Sequence, residues 1–331
     1  MAEARRHHFV PQCYLKGFGL QRDKDCSLAC FNLAEAKRFD TSPLNIANKR
    51  DFNRIEVEGH SPTALETRIA DFEGKLDGVL GAVIETSQIA DGYPREILLE
   101  FVAHLLCRNP RLRRKYDDFL NDTLNMMLRI QTSSPERFAQ SMSDAIEAGA
   151  LAPDEVPALA EMREWASDPD LRLTYDQTYQ IGLELQTYDP ALIALRQRGW
   201  RLIEALPDAG SFITSDHPVR VDWHRPEDHH PMLPPGLGTK GTYVMMPVSS
   251  KLALMGTFDM VESATTLKAD RRTVAEINFL TITSADRQVY AGSTDFYFRS
   301  WFTGEVLPGD QLEDALAQAS KDRDKRSPGG R

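Results

Sequence analysis

The sequence predicts an α+β protein, mainly helical, with a mostly antiparallel sheet that combines N-terminal and C-terminal strands. The order of its hydrophobic periodicities is the main observation: strand-like runs fill residues 20–60, helical spacing covers 61–197, and strand-like runs return over 198–292. A second observation is that the N-terminal β segment is too small to be stable by itself. We therefore expect its strands to join the C-terminal strands in one sheet, with the helices packed beside it.

The same pattern predicts the domain organisation. Residues 1–309 are expected to form a single α+β domain, followed in 310–331 by a C-terminal helix and a disordered tail. Disorder is predicted for 321–331 because this stretch is charged or consists of Ser, Pro and Gly, and so offers no apolar side chain for burial.

The N-terminal elements are predicted from turn-forming residues. Residues 9–20 favour a short helix, because Pro11 suits a first-turn position and Gly17 and Gly19 can terminate it. Three strand-like runs follow, the first two as a hairpin: 26–33, 36–41 and 51–57.

The helical block begins at Ser61, an N-cap residue that precedes a proline at the first helical position. A second helix is predicted from Pro94. Pro110 should break or kink it at Asn109, because proline lacks an amide hydrogen and clashes with the preceding turn. Helical spacing resumes afterwards in four segments: 112–127, 135–148, 154–166 and 174–197.

The C-terminal part returns to short apolar runs. A long loop is predicted over 222–241, which is rich in proline and glycine, and a helix over 270–284. Strands are predicted at 200–205, 211–214, 242–246, 251–258 and 288–291.

Composition and charge limit the classes of function. The chain has 331 residues, of which 41% are hydrophobic, enough for a sizeable core. Its net charge of −10 disfavours a protein that coats nucleic acid or an anionic membrane. Basic residues nevertheless cluster at 108–115, where a solvated helix face is the usual interpretation of such a run.

The location predicted from the sequence is the cytoplasm. The charged start, residues 1–8, is not followed by the apolar run of a signal peptide, and no stretch approaches the ~18 apolar residues of a membrane span. Four cysteines in a chain of this length are too sparse for a secreted disulfide scaffold.

His7 and His8 are the first candidate site residues. Adjacent side chains on an extended segment point to opposite sides, so one can face a site while the other packs or caps. Imidazole can bind a metal, act as a general base near neutral pH, or donate to an anion. The alternative is structural, with one histidine bonded to the start of the short helix and the other in solvent.

Asp216 is the second candidate, because it follows a strand-like run and precedes a proline. A carboxylate just beyond a strand end is placed where sheets often bind ligands. It can bind a metal together with His8, orient a histidine, or accept a hydrogen bond from a substrate. The alternative is turn chemistry, since aspartate before proline commonly bonds its own downstream backbone.

Arg108 lies at the end of the second predicted helix, where its planar fork can bind a phosphate or carboxylate. Arg111 adds positive potential beside it. The structural alternative for Arg108 is a buried pair with Glu66 or Glu73 of the neighbouring helix.

Several segments resemble domain-of-unknown-function family 4238. The opening His7-His8-Phe9-Val10-Pro11-Gln12-x-Tyr14-Leu15 is similar to the family's N-terminal signature, and Thr214-Ser215-Asp216-x-Pro218 to a second motif. The similarity spans nearly the whole chain and places Tyr14 among the residues expected to bind ligand. The resemblance implies no activity, because the family has none assigned.

Three functions are compatible with these residues. The first is a hydrolase of a phosphate or phosphodiester bond, in which His7, His8 and Asp216 activate water directly or through a divalent metal and Arg108 stabilises anionic charge. The second is a non-catalytic module that binds a small anionic ligand or a nucleic-acid end. In the third, the motif residues only hold the N-terminus onto the sheet. The oligomeric state is not predicted.

Overall fold

The computed structural model describes residues 6–326, except for residues 24, 169, 173, 231 and 264. Its helices are α1 (Gln12–Leu15), α2 (Ala64–Thr86), α3 (Tyr93–Cys107), α4 (Pro110–Gln131), α5 (Pro135–Glu147), α6 (Leu159–Ser167), α7 (Gln177–Arg196), α8 (Arg271–Ser284) and α9 (Leu312–Arg326).

The strands in the described part of the chain are short. They are β1 (Arg6–His8), β2 (Leu28–Asn32), β3 (Lys37–Thr41), β4 (Asn48–Arg50), β5 (Gly199–Ala205), β6 (Thr214–Ser215), β7 (Arg220–Trp223), β8 (Thr242–Pro247), β9 (Leu252–Thr257), β10 (Leu267–Ala269), β11 (Gln288–Ala291), β12 (Tyr297–Arg299) and β13 (Val306–Pro308). Together with the helices they confirm the predicted α+β class.

The chain divides into two compact units, Met1–Asn109 with Ile181–Arg331, and Pro110–Gln180. The smaller unit is helical and contains α4 to α6. Two hydrogen bonds that tie its segments together are Arg163 Nε to the Thr132 carbonyl at 2.9 Å and Gln180 Nε2 to Asp117 Oδ1 at 2.9 Å. The single domain over 1–309 stays a prediction.

A four-stranded sheet, in the order β3–β2–β11–β6, joins the two ends of the chain as predicted. β11 runs antiparallel to β2, with Val289 opposite Phe31, and antiparallel to β6, with Tyr290 opposite Thr214. The sheet therefore places the N-terminal strand β2 one strand away from β6, the strand directly before Asp216.

The prediction of one sheet is wrong, because the remaining C-terminal strands form a second, five-stranded sheet in the order β10–β5–β9–β8–β7. Its β10–β5 pair is parallel and the other pairs are antiparallel. A tight turn explains the separation: Ser249 Oγ accepts from the amides of Lys251 and Leu252, so β8 and β9 must pair with each other.

The strand predicted over 51–57 is also wrong. β4 ends at Arg50, and Asp51 adopts a left-handed φ of 55°, which turns the chain away from an extended path. β4 pairs instead with β1 in a two-stranded ribbon that places His7 opposite Lys49.

The break predicted at Pro110 is confirmed. α3 ends at Cys107 and α4 begins at Pro110, which leaves Arg108 outside both helices.

At the C-terminus, α9 extends to Arg326, so the disorder predicted from 321 is wrong as far as that residue. Residues 327–331 of the predicted tail lie outside the described residues.

The core of the larger unit contains the N-terminal motif. Tyr14, Leu15 and Phe18 are buried, and the Tyr14 ring meets Phe101 of α3 edge-on at 5.1 Å. None of the helices in the described range is apolar over a length that would cross a bilayer.

Candidate functional site

A buried polar cluster surrounds Arg108, whose residue surface is only 4% exposed. Its Nη1 donates to His104 Nε2 at 2.7 Å, and its Nη2 donates to Asn53 Oδ1. Its Nε lies 4.0 Å from Glu184 Oε2 in α7. The residues grouped around it form what we call the Arg108 cluster: His7, Asn53, Glu66, Glu73, His104, Arg108 and Glu184.

Local backbone geometry positions the two central residues of the cluster. Arg108 has φ −118° and ψ 83°, outside the helical region, because Pro110 prevents α3 from continuing. The left-handed conformation of Asp51 ends β4 and starts the turn that contains Asn53. His104 lies in the last turn of α3, four residues before Arg108, and the two side chains meet through a hydrogen bond.

His7 enters the cluster from β1 and is 2% exposed. Its Nδ1 accepts a hydrogen bond from the Asn53 amide at 2.8 Å, so the proton of the neutral ring lies on Nε2. Nδ1 is also 3.8 Å from Glu66 Oε2. His7 Nδ1 and Glu66 Oε2 both accept hydrogen bonds from Asn53, the first from its backbone amide and the second from its side-chain Nδ2.

His104 is the neutral partner of Arg108. Burial lowers its pKa well below the ordinary value, and the positive charge of Arg108 lowers it further. The unprotonated Nε2 then offers the lone pair that accepts from Arg108. The ring of His104 stacks on Phe72 of α2 at 5.9 Å, which fixes its orientation.

Glu66 and Glu73 line the cluster from α2. They are seven residues apart, which places them on one face of the helix two turns from each other. Burial and the neighbouring Glu66 raise the pKa of Glu73 to about 7, and Arg108 opposes the shift. The side chain of Glu66 is 29% exposed, so the carboxyl pair forms the part of the cluster that solvent can reach.

His8 differs from His7 in its hydrogen-bond partner, although the charge of Glu66 also acts on it and opposes the lowering of its pKa by burial. Its Nδ1 lies 3.5 Å from Gln12 Nε2, and burial lowers its pKa against the opposing effect of the carbonyl groups of Pro43 and Leu44. The alternation along β1 therefore separates the two histidines, and His7 is the one with hydrogen bonds to the Arg108 cluster.

Asp216 has hydrogen-bond partners of its own, since its carboxylate accepts from three backbone amides. The bonds come from Asp286 at 2.8 Å, Arg287 at 2.8 Å and Gln288 at 3.1 Å, in the turn between α8 and β11. Burial raises its pKa to about 6, although the three amides oppose the shift. Its hydrogen bonds thus go to this turn, whereas those of the two histidines go to Asn53 and Gln12.

Tyr14, another predicted ligand-binding residue, is fully buried. Its hydroxyl donates to the Pro247 carbonyl at 2.7 Å and lies 2.7 Å from Thr214 Oγ1. Burial raises the pKa of the phenol, so it stays protonated. The opening motif and the Thr-Ser-Asp motif therefore meet, but through Tyr14 and Thr214 and not through the histidines.

Arg108 and Arg111 fall in different units of the chain, since the smaller unit begins at Pro110. Arg111 is half-buried in the first turn of α4. The metal ligands proposed from the sequence, His8 and Asp216, have no hydrogen-bond partner in common. Among the residues that the structure describes, no three His, Cys, Asp or Glu side chains are grouped to hold a metal ion.

The sequence reasoning missed five residues of the cluster as site residues: Asn53, Glu66, Glu73, His104 and Glu184. The spacing of Glu66 and Glu73 was a usable signal, because a separation of seven residues places both on one face of α2. Glu184 gave no signal, since it lies on a helix of mixed periodicity far along the chain.

Comparison with known proteins gives one match. The family described as Protein of unknown function (DUF4238) matches residues 6–295, which include every residue of the Arg108 cluster. No curated protein and no solved structure matches the chain.

Proposed function

We propose that this chain, which belongs to the family described as Protein of unknown function (DUF4238), hydrolyses a phosphate ester or phosphodiester at the Arg108 cluster. The observation that carries the proposal is the carboxyl pair Glu66 and Glu73, with the pKa of Glu73 raised to about 7 beside a guanidinium. A carboxyl with a pKa near neutral pH can deliver a proton in catalysis and be recharged afterwards.

The proposed step divides the two carboxyls by role. Glu66, which accepts hydrogen bonds as a carboxylate, takes a proton from a water molecule whose oxygen attacks phosphorus. The phosphorus–oxygen bond of the ester breaks, and Glu73 gives its proton to the leaving oxygen. Arg108 supplies positive charge close to both carboxyls, which favours the anionic transition state.

The proposal includes a divalent cation that binds together with the substrate. The cluster contains three carboxyl groups and one guanidinium, so an anionic substrate meets repulsion that such a cation would offset. Magnesium commonly binds through one or two carboxylates together with substrate phosphates, and therefore does not need a complete protein-built site.

The alternative of a non-catalytic module for an anionic ligand or nucleic-acid end rests on Arg108 alone, and the surrounding carboxyls weaken it.

A cytoplasmic location remains part of the proposal. It is supported by the four cysteines, all of which are free thiols, as expected in a reducing compartment.

The test is turnover of p-nitrophenyl phosphate and bis(p-nitrophenyl) phosphate from pH 5 to 9, with Mg²⁺, Mn²⁺ or a chelator. We expect kcat/KM to fall as pH rises through about 7, because Glu73 then loses its proton. Glu73→Gln should lower kcat by about 10²–10⁴-fold and remove that alkaline decline. Glu66→Gln should lower kcat without removing it.

Glu58→Gln is the matched control, since Glu58 is an exposed carboxyl on the loop before α2. It should keep wild-type turnover. Retention of wild-type turnover by both Glu66→Gln and Glu73→Gln would contradict the proposal. So would a folded wild-type protein that hydrolyses neither ester, in which case the cluster would be structural.

A further inference from the structure

A second site is suggested by a cavity of about 270 Å³ in the larger unit, lined by residues other than those of the Arg108 cluster. The loop between α2 and α3, strand β5 and the segment before β10 contribute its walls. Its apolar lining includes Ile89, Trp200 and Leu202, and its charged lining consists of Asp91, Arg95 and Glu262.

Two glycines shape this cavity. A Cβ atom on Gly199 would lie 1.8 Å from the Met260 carbonyl oxygen, so only glycine lets that segment pass close to β5 and bring Glu262 to the cavity. A Cβ atom on Gly256 would lie 2.6 Å from the Trp200 ring, which packs directly on the β9 backbone. Trp200 Nε1 donates to the Leu195 carbonyl at 3.0 Å and holds the ring in that position.

The charge of Arg95 is compensated by its neighbours. Its Nε and Nη2 donate to Glu262 Oε1 at 3.1 and 2.6 Å, and its Nη1 lies 3.6 Å from Glu96 Oε1. Glu96 in turn pairs with Arg196 at 2.8 Å. Arg95 is therefore a poor site for an incoming anion, because its guanidinium is already bonded to carboxylate.

Asp91 is different, since it has no ion pair within the part of the chain that the structure describes. Both bonds from Arg95 to Glu262 go to Oε1, which leaves Oε2 of Glu262 available as an acceptor. The cavity thus combines one uncompensated carboxylate and a second acceptor oxygen with an apolar wall.

We propose that this cavity binds a small organic cation, a primary ammonium group on a short alkyl body. The ammonium has three donors, which suit Asp91 and the Oε2 atom of Glu262. The alkyl body would lie against Ile89, Trp200 and Leu202, an arrangement typical of small-molecule sites, where an apolar wall adds affinity and a few polar groups fix orientation. A bare metal ion would gain no affinity from these apolar side chains.

The experiment is calorimetric titration of the full chain with n-butylammonium, with butyrate and 1-butanol as probes of the same chain length and opposite or no charge. We expect saturable one-site binding of butylammonium and none of butyrate. Asp91→Asn should weaken binding by about tenfold, the usual order for loss of a charge-assisted contact. Glu262→Gln should weaken it more, because Arg95 would lose the negative charge of Glu262 and its own positive charge would repel the ammonium group.

Asp310→Asn is the matched control, since Asp310 is an exposed carboxyl outside the cavity, and it should bind as wild type does. Melting curves of each variant establish that it is folded. The proposal is overturned by equal affinity of Asp91→Asn and wild type, by tighter binding of butyrate or of Mg²⁺ than of butylammonium, or by no saturable binding up to about 10 mM. Glu73→Gln should bind butylammonium normally, so this result does not depend on the proposed hydrolase.

Discussion

The Arg108 cluster and the Asp216 turn both contain a carboxyl whose pKa is raised by burial, to about 7 for Glu73 and to about 6 for Asp216, yet the two carboxyls have different partners. Asp216 accepts from three backbone amides that belong to one turn. Glu73 has a second carboxyl and a guanidinium for neighbours. The hydrogen bonds of Asp216 stabilise a loop, whereas the surroundings of Glu73 give it a proton that can be exchanged.

The difference shows that a raised pKa does not by itself mark a functional residue. Burial raises both values, and the partners decide what each carboxyl can do. Backbone amides cannot release a carboxylate without unfolding the turn, because their own burial would then be uncompensated. Neighbouring side chains can move, so a carboxyl held by side chains can exchange its partner for a substrate.

The largest expected effect is in the Arg108 cluster. Arg108→Ala removes the donor to His104 and Asn53 and the positive charge 4.0 Å from the buried Glu184 carboxyl, so we expect the free energy of unfolding to fall by about 3–5 kcal/mol. Urea unfolding at pH 7 measures this free energy. As a control, Arg287→Ala should change the free energy of unfolding by less than about 0.5 kcal/mol, since that side chain is 76% exposed. A similar small loss for Arg108→Ala would mean that the cluster carries no stabilising network.

Asp216→Ala tests the other side of the comparison. Three backbone amides would lose their acceptor, so the free energy of unfolding should fall by about 1–3 kcal/mol, and Asp216→Asn, which keeps one oxygen, should lose less. Turnover per folded molecule should stay at the wild-type value. Loss of turnover in a fully stable Asp216→Ala protein would return Asp216 to the catalytic role predicted from the sequence.

The smallest effect is a pH dependence that separates the two carboxyls. Because folding raises the pKa of Glu73 from 4.5 to about 7, its contribution to stability is complete below pH 4.5 and is lost as pH rises through about 7. Asp216 loses its contribution earlier, by about pH 6. Glu73→Gln should therefore flatten the stability profile between pH 6 and 7, by on the order of 1 kcal/mol given its partial exposure. An unchanged slope would contradict the assignment of the proton to Glu73.

Local rules predicted the parts of the fold that depend on local chemistry. Pro110 ended α3 for the steric reason given, and the N-terminal strands joined the C-terminal ones because a small β segment needs a partner. The division into two sheets was not predictable in the same way. It depends on which strand edges meet, and the alternation of side chains specifies a strand's faces but not its neighbour.

For the candidate site, the sequence identified two of the participants, His7 and Arg108, and paired His7 with Asp216, whereas the carboxyl group beside His7 in the structure is that of Glu66. That His7, His8 and Asp216 share one site stays a prediction. Asp216 was chosen because a strand end is a frequent ligand position, and its competing role in a turn is the one that the hydrogen bonds support. Glu66 and Glu73 were considered only as structural partners of Arg108. Their pKa coupling depends on burial between helices, which spacing along one helix does not reveal.

The pairing of β2 with β11 has a consequence for how the chain is made. Phe31 lies opposite Val289, so the inner edge of the β2–β3 hairpin has no partner until nearly the whole chain has been synthesised. At ordinary elongation rates this interval lasts on the order of tens of seconds. The helices between them form from local contacts within that time, whereas the exposed edge of β2 can pair with another chain. Protection of this edge in the newborn protein, by the ribosome or a chaperone, is therefore a requirement that follows from the order of the strands.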